Sequence, residues 1–451
     1  MNRTKSSAVQ LLAGAAAFVT LSSTPLLAQD PPKKEPIRLD NWIGGPSWIK
    51  FSGQHRTRFE SLNGQFRSSA LRNTEDQLFN RSILRADIDT DSIDAVLEGM
   101  DARAFGTKAD SFANTTTVNT FDVLQANVVF PVGDGHLTVG RYTMDIGSRR
   151  LSARNKYRNT INSFNGFRYD KTDEDGNKLR VFWNMPTIRR PSARMELVDN
   201  EHDWDRQSSD LQFYGVHATR VLSEDSHGEM YLLGLNDNRD GSADRDLLTT
   251  GVRFLQQKKP GQFFGEAEAA FQFGERNNED VSAWFAHGSV GYVGEGECRP
   301  TFRLAYDHAT GDSSSTDGDY NRFDTLFGAR RFEYGPTGIY GAIGRRNISS
   351  PEIRFDFKPS ATTWVMVAYR HLMLASDNDA WVEAGLSDPT GAAGTTVGSQ
   401  IECRLRWEPC KKQVRIEGGG AYFAGGSFRD ATQPVGGGDT RYGFLEVIFW
   451  F

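Results

Sequence analysis

The sequence is poor in cysteine and lysine and lacks long apolar segments. It has three cysteines, none at the N-terminal cleavage point where a lipid anchor would need one. Beyond the first thirty residues, no apolar run reaches the roughly 18 residues that a membrane-spanning helix requires. Most of the positive charge comes from arginine, which stays protonated and planar. We therefore expect neither a lipoprotein anchor nor a membrane-spanning helix, and glycine, aromatic residues and arginine are the informative components.

The N-terminus has the pattern of a secretory signal peptide. Arg3 and Lys5 precede an apolar segment, residues 8–19, and Ala28 offers a small residue for cleavage. The apolar segment is too short to cross a membrane. We therefore predict a signal peptide over residues 1–28, a polar and proline-rich periplasmic lead-in over 29–48, and one domain over 49–451.

Polar and apolar residues alternate from about residue 49 to the end of the sequence. In the segment 352–358, for example, four charged residues alternate with Ile353, Phe355 and Phe357. A period of two predicts strands with one polar and one apolar face. We predict eighteen strands, with sixteen as the alternative: 49–60, 78–90, 94–105, 119–130, 135–143, 163–170, 178–185, 209–221, 227–236, 246–257, 262–274, 281–293, 300–308, 347–357, 362–373, 397–407, 412–423 and 440–451.

The connections between these strands alternate in length. Short ones, such as 91–93 and 131–134, are followed by long ones, which are 61–77, 106–118, 144–162, 186–208, 309–346, 374–396 and 424–439. Short turns at one end and long loops at the other are typical of outer-membrane barrels. The sequence thus predicts an all-β fold, a single transmembrane antiparallel β-barrel with short periplasmic turns and long extracellular loops, in the outer membrane of a Gram-negative-type envelope.

The last strand ends on aromatic residues. Phe449 and Phe451 share an apolar face, while Glu446 lies on the opposite face. An open apolar edge would recruit other chains, whereas a closed barrel pairs its last strand with its first. We interpret Phe451 and Phe449 as the assembly signal that the barrel-assembly machinery reads. Closure also predicts that Glu446 lies near Arg56 or Arg58.

Three stretches resemble the alginate-export family of outer-membrane channels. They are 139–168 (GR…G..RL…N…F.G.R), 309–327 (GD…DG…FD.LF) and 400–428, and they span most of the chain in the family's order. The resemblance implies an eighteen-stranded channel through which a polyanionic polysaccharide leaves the periplasm past an arginine-rich constriction. The family's best-known member also has a periplasmic plug between strands sixteen and seventeen, but the matching turn here, 408–412, is short.

Arginines on the polar faces of the strands are the candidate pore-lining and anion-binding residues. Fixed cations in a low-dielectric lumen concentrate anions, and guanidinium groups bind carboxylates through two parallel hydrogen bonds. The alternative is structural, because lumenal arginines also pair with lumenal Asp and Glu residues and hold strands together. The candidates are Arg58, Arg85, Arg303, Arg354, Arg370, Arg404, Arg406 and Arg415, joined by Arg103, Arg141 and Arg168.

The basic connection 144–162 has two interpretations. It could fold into the lumen and form part of the constriction, or it could be a solvated loop that binds lipopolysaccharide phosphates or nothing. We expect the protein to contact outer-membrane lipid and lipopolysaccharide, and we expect no nucleic-acid partner.

The sequence therefore predicts an outer-membrane channel for an anionic polysaccharide, alginate-like, or for other anionic solutes, most simply in the export direction. An anion-selective nutrient uptake porin is the first alternative, and an enzyme or a structural barrel is less favoured. The eight histidines are scattered and form no catalytic motif. The acidic segment 173–177 is better interpreted as a hairpin turn than as a calcium loop, so we predict no enzyme activity, metal or cofactor.

Overall fold

Eighteen long antiparallel strands form the wall of the molecule within the residues that the computed structural model describes, which are 44–69, 72–90, 93–433 and 438–451. The predicted signal peptide and most of the predicted lead-in lie outside these residues. The first nine strands are β1 Ile49–Asn63, β2 Thr74–Asp89, β3 Asp94–Phe105, β4 Asn119–Val132, β5 Gly135–Tyr142, β6 Phe164–Thr172, β7 Lys178–Pro186, β8 Leu211–Ser223 and β9 Ser226–Asp237.

The remaining wall strands follow the same up-and-down order. They are β10 Arg245–Gln256, β11 Phe263–Arg276, β12 Glu279–Val293, β13 Thr301–Ala309, β15 Ile348–Ser360, β16 Thr363–Met373, β17 Thr396–Cys410, β18 Val414–Gly425 and β19 Thr440–Trp450. The two-residue strand β14, Asp319–Tyr320, lies in the connection after β13 and pairs in parallel with β12. Each wall strand begins and ends within four residues of its predicted bounds, because the period-two pattern sets which segments can present one apolar face.

The barrel closes through an antiparallel pairing of β1 with β19. Arg58 lies directly opposite Glu446 in this register. The ion-pair distances from Glu446 are 3.5 Å to Arg56 and 3.6 Å to Arg58. The predicted closure and the predicted contact of Glu446 are both confirmed, as is the count of eighteen strands over sixteen.

Within the described residues, three short helices occur in the long connections. They are α1 Arg194–Val198, α2 Arg331–Tyr334 and α3 Ser427–Thr432. Across the described residues, no helix is both long and apolar enough to cross a membrane.

The outer face of the wall is apolar and the core lies inside the barrel. Large side chains such as Leu84, Met230 and Val252 are exposed on the outside. The buried cluster inside instead joins inward wall residues such as Phe79 and Phe213 to residues of the long connections. The lumen is therefore occupied by polypeptide over part of its height.

Candidate functional site: the occupied lumen and its two cavities

Nine of the eleven candidate arginines point into the lumen. In each case the side chain shares its face with inward residues of the same strand and with the register partners on neighbouring strands. These nine are Arg58, Arg85, Arg168, Arg303, Arg354, Arg370, Arg404, Arg406 and Arg415.

The inward placement of Arg103 and Arg141 is wrong. Arg103 shares a face of β3 with the exposed Leu97 and Phe105. Arg141 shares a face of β5 with the exposed Val139 and pairs in register with Ala126. The alternation of polar and apolar residues assigns charged side chains to the lumen. It fails for these two arginines because a neighbouring acid neutralises each of them on the outer face.

Both outward arginines have such an acid. Arg103 Nε lies 3.0 Å from Asp101, and an Arg141 terminal nitrogen lies 3.0 Å from Asp122. The second pair is more deeply buried, because the connection between β7 and β8 covers it: the backbone N–H of Asp205 donates to Asp122 at 2.6 Å.

Many inward arginines are paired with lumenal carboxylates. Arg370 lies 2.8 Å from both Asp307 and Glu352, and Arg406 lies 2.7 Å from Glu417. Charge pairs of this kind tie neighbouring strands together and leave less positive charge for a solute. The structural interpretation therefore holds for this part of the wall.

The connection 144–162 enters the lumen. Arg56 and Arg81 donate to main-chain carbonyl groups of this connection, with 2.8 Å from Arg56 to the Arg158 oxygen and 2.9 Å from Arg81 to the Lys156 oxygen. Arg58 donates to the Tyr157 oxygen at 2.8 Å. Three wall arginines thus hold the loop by its backbone.

Arg150 fixes the other side of the same connection. Its buried guanidinium lies 2.5 Å from Glu266 and from Glu268, and it also contacts Glu333. Burial lowers the pKa of Arg150, but the three carboxylates outweigh that effect and raise it well above its ordinary value. The loop therefore crosses from the β1–β2 wall to β11.

The connection between β13 and β15 also folds inward. Arg331 lies 2.6 Å from Glu402, the Tyr340 hydroxyl donates to Gln400 at 2.6 Å, and the Ile339 N–H donates to Glu60 at 2.9 Å. The sequence predicts this segment to be a long extracellular loop, and that placement is wrong for its inward part. Its run of apolar residues around Ile339–Ile343 was the available signal that it is buried.

The two inward connections leave a cavity on the long-loop side of the barrel, with a volume of about 350 Å³. Five arginines and one glutamate are its charged lining residues: Arg158, Arg189, Arg330, Arg345, Arg346 and Glu383. Within the described part of the chain, the Arg158 and Arg189 guanidinium groups make no ion pair within 4.0 Å, although the charge of Asp205 acts on Arg189 from further away. Burial, and then the neighbouring Arg189 and Arg330, lowers the pKa of Arg158 well below its ordinary value.

A second cavity of about 360 Å³ lies on the short-turn side. Seven basic residues and three glutamates line it: Arg56, Arg81, Arg85, Arg154, Lys156, Arg406, Arg415, Glu98, Glu417 and Glu446. The segment 154–162 contributes to both cavities and separates them. Cations therefore outnumber acids on both sides of the loop that narrows the lumen.

One cluster among the described residues has the spacing of a metal site, formed by His287, Asp307 and Glu333. His287 Nδ1 lies 2.7 Å from Asp307. Asp307 already pairs with Arg370, and Glu333 with Arg150 and Arg345. These guanidinium groups occupy the carboxylates that a cation would need, so the cluster does not suit a metal ion.

Comparisons with known proteins agree with this architecture. The sequence profile of the family described as alginate export matches residues 47–439. No match is found among the curated proteins.

Solved structures with the same fold include three proteins of Pseudomonas aeruginosa. OpdO is 14% identical with a TM-score of 0.58, covering 89% of this chain and 97% of its own. OccK8 (OprE) is 13% identical with a TM-score of 0.59, and the outer membrane protein OpdK is 14% identical with a TM-score of 0.59. Each of these two covers 89% of this chain and 98% of its own. At these identities the likeness shows the fold alone.

Proposed function

Because this chain belongs to the alginate-export family and forms an outer-membrane β-barrel channel, we propose that it conducts an acidic polysaccharide, or another anionic solute, out of the periplasm along an arginine-lined path. The path runs from the cavity on the short-turn side, past the connection 144–162, to the cavity on the long-loop side.

The observation that carries this proposal is the pair of guanidinium groups on Arg158 and Arg189. Both line the long-loop cavity, and neither is neutralised by a carboxylate within 4.0 Å in the described residues. Arg158 donates to the Asn162 side chain, and Arg189 donates to the same oxygen at 2.9 Å and to the Thr115 carbonyl oxygen. A solute carboxylate supplies the counter-charge that the protein leaves out.

The distribution of charge suits a polymer. An anionic chain that left one basic cavity would meet a second one across the segment 154–162, so its charges stay compensated while it moves. The export direction follows the family, since the periplasm is where a secreted polysaccharide arrives. Insertion by the barrel-assembly machinery, with Phe451 and Phe449 as its signal, and contact with lipopolysaccharide belong to the same proposal.

A second candidate is uptake of small carboxylates. OpdK, which shares the fold, has been solved with vanillate, and cavities of about 350 Å³ have the size of sites for small molecules. In that case the same arginines would select the solute in the opposite direction.

Planar-bilayer recording tests the path. We expect an anion-selective reversal potential in a salt gradient, and we expect Arg158→Gln with Arg189→Gln to shift it toward zero selectivity. Lys412→Gln is the matched control, because it removes a positive charge from an exposed turn. A cation-selective wild-type channel, or unchanged selectivity in the double variant, would show that these arginines do not form the path.

A deletion strain separates the two candidates. Export predicts that acidic polysaccharide disappears from the medium and uronic acid accumulates in the periplasm. Uptake predicts normal secretion and slow growth on a small carboxylate as the sole carbon source. Each phenotype should be restored by the wild-type gene and less well by the double variant.

A further inference from the structure

Trp450, near the end of β19, points into the lumen at the short-turn end of the barrel. It shares its face of the strand with the lumenal Glu446, and it lines the cavity on that side. Trp407 of β17 lies at the same end but points outward, on the face of the exposed Leu405. The aromatic girdles of outer-membrane barrels occupy the outer face. A girdle therefore accounts for Trp407 but not for Trp450.

A cation accompanies the indole of Trp450. Arg415 of β18 places its Cζ over the ring, 5.2 Å from the ring centre, where the negative face of the indole attracts it. Glu408 holds the same guanidinium at 2.7 Å, yet the Arg415 side chain remains 30% exposed. The wall therefore presents an aromatic ring and an accessible guanidinium side by side.

Gln54 adds a neutral polar group next to the indole, across the seam. It is the register partner of Trp450 on β1, and it lines the same cavity. Arg81 of β2 donates to the Gln54 side-chain oxygen at 2.8 Å and to the Lys156 carbonyl oxygen at 2.9 Å. Because the guanidinium occupies the amide oxygen, the amide N–H groups of Gln54 are the donors that it offers to the cavity.

The cavity beside these residues combines cations with hydrogen-bond acceptors. Its volume of about 360 Å³ is in the range of sites for small molecules. Its seven basic side chains favour an anion, whereas Glu98, Glu417 and Glu446 favour a ligand that also donates hydrogen bonds. A simple carboxylate ion offers only acceptors, whereas a sugar acid also carries hydroxyl groups. The lining therefore suits an anion that is also a polyol.

We propose that Trp450, Arg415 and Gln54 form a binding site for one hexuronate unit of an acidic polysaccharide at the short-turn entrance of the channel. The apolar C–H face of the sugar ring packs on the indole, the carboxylate pairs with Arg415, and a hydroxyl group accepts from the Gln54 amide. Arg81 is a positioning residue, because it acts through Gln54. This inference rests on the proposed conduction of an anionic polymer and names the chemical unit that the entrance recognises.

Channel block by matched probes tests the site. Trigalacturonate has three sugar rings and three carboxylates, whereas tricarballylate has three carboxylates and no ring. Added to the short-turn side of the wild-type channel in a planar bilayer, trigalacturonate should block at a roughly tenfold lower concentration, because one ring face is buried on the indole. Maltotriose, which has rings but no charge, should block less than trigalacturonate.

Substitutions assign this preference to the site. Trp450→Leu should abolish the preference for trigalacturonate and leave the block by tricarballylate unchanged, because it removes the ring and keeps every charge. Trp407→Leu removes an outward indole at the same end and should retain the preference. Heat-modifiable gel mobility shows whether each variant is folded. If Trp450→Leu is not, Gln54→Leu replaces it and should weaken the block by trigalacturonate alone.

Three results would overturn the site. They are equal block by the two trianions in the wild type, an unchanged preference in a folded Trp450→Leu channel, and benzoate that blocks at a lower concentration than galacturonate. The last result would assign the cavity to aromatic acids. An anion-selective wild-type channel with any of these results still supports the proposed conduction of anions, whereas a cation-selective wild-type channel contradicts that function itself.

Discussion

The arginines inside this barrel fall into three groups, according to what their guanidinium groups contact. Arg370 forms ion pairs with two carboxylates. Arg56 and Arg81 donate hydrogen bonds to main-chain carbonyl groups. Arg158 lines the long-loop cavity without a carboxylate partner among the described residues. Carbonyl groups carry no formal charge, so only arginines without a carboxylate partner among the described residues, such as Arg81 and Arg158, keep a full positive charge for an anion. The number of arginines on the polar faces therefore overestimates the positive charge that a solute meets.

Asn159 links the lumenal loop to the wall at a single buried amide. Its Nδ2 donates to the Thr117 oxygen at 2.7 Å and to the Arg103 oxygen at 3.1 Å, while Arg56 donates to its Oδ1 at 3.0 Å. We expect Asn159→Ala to destabilise the folded state by about 1–3 kcal/mol, because buried groups lose partners. Urea unfolding in lipid vesicles measures it, and the exposed Asn378→Ala should change little.

Asp205 makes the docking of the β7–β8 connection depend on pH. Burial, and then the neighbouring Asp122, raises the pKa of Asp205 to about 6. An unfolded aspartate has a pKa of about 4, so between about pH 4 and pH 6 the docked state holds a proton that the undocked state has lost. Docking is therefore strongest below pH 4 and weakens as the pH rises to 6, by an amount on the order of 1 kcal/mol after solvent screening.

Hydrogen exchange of residues 188–206 across this pH range checks the expectation. Protection, corrected for intrinsic exchange, should fall between pH 4 and pH 6 in the wild type and stay constant in Asp205→Asn. The more exposed neighbour Asp203→Asn is the control and should keep the wild-type profile. A profile that is flat in the wild type contradicts a raised pKa at Asp205.

At the scale of elements, the two inward connections decide how wide the lumen is. Residues 144–162 and the connection between β13 and β15 meet at Arg150, whose guanidinium contacts Glu333 of α2 as well as two glutamates of β11. A buried charge with three partners fixes a segment in one place, since any displacement leaves carboxylates unpaired.

Arg150→Met should release this junction. Glu268 would lose its 2.5 Å partner, whereas Glu266 keeps Arg253 at 2.7 Å and Glu333 keeps Arg345. Removing one partner of a buried ion pair costs about 3–5 kcal/mol. We expect larger single-channel conductance with frequent fluctuations, because the loop no longer holds one position. Arg206→Met removes an exposed ion pair and should leave conductance unchanged. If single-channel currents of Arg150→Met were as steady as those of the wild type, the wall arginines alone would be sufficient to hold the loop.

At the scale of the whole molecule, closure depends on the seam between β1 and β19. Ten register pairs connect the two strands, and the Phe451 backbone bonds to Gly53 in both directions, at 2.7 and 3.1 Å. The Phe451 ring occupies the space where a side chain at position 53 would begin, so a larger residue there would have to displace that ring. Closure leaves no open edge at this seam.

Glu446 is the charged contact across that seam. Glu446→Gln leaves Arg56 without its carboxylate, although Arg58 keeps Glu60 at 2.7 Å. We expect a loss of about 1–3 kcal/mol in unfolding free energy and a lower temperature of heat modification on gels. Glu224→Gln, in an exposed turn, serves as the comparison and should behave as the wild type.

The strands could be predicted, whereas the occupants of the lumen could not. The face of a wall residue can be inferred from its neighbours in the sequence. Ile353, Phe355 and Phe357, for example, alternate with charged residues and therefore share one face. Arg103 and Arg141 show the limit of this rule, because their paired acids let them face outward. The position of Arg150 depends on Glu266 and Glu333, which lie more than a hundred residues away along the chain.

The sequence by itself determined the outer-membrane barrel, its strand order and the pairing of Glu446 across the seam, because alternation and connection length are local properties that closure then fixes. Only the tertiary structure decided that residues 144–162 fold inward, which arginines keep their charge, and where two cavities remain. Those outcomes depend on which distant carboxylates and carbonyl groups meet each guanidinium once the barrel has closed.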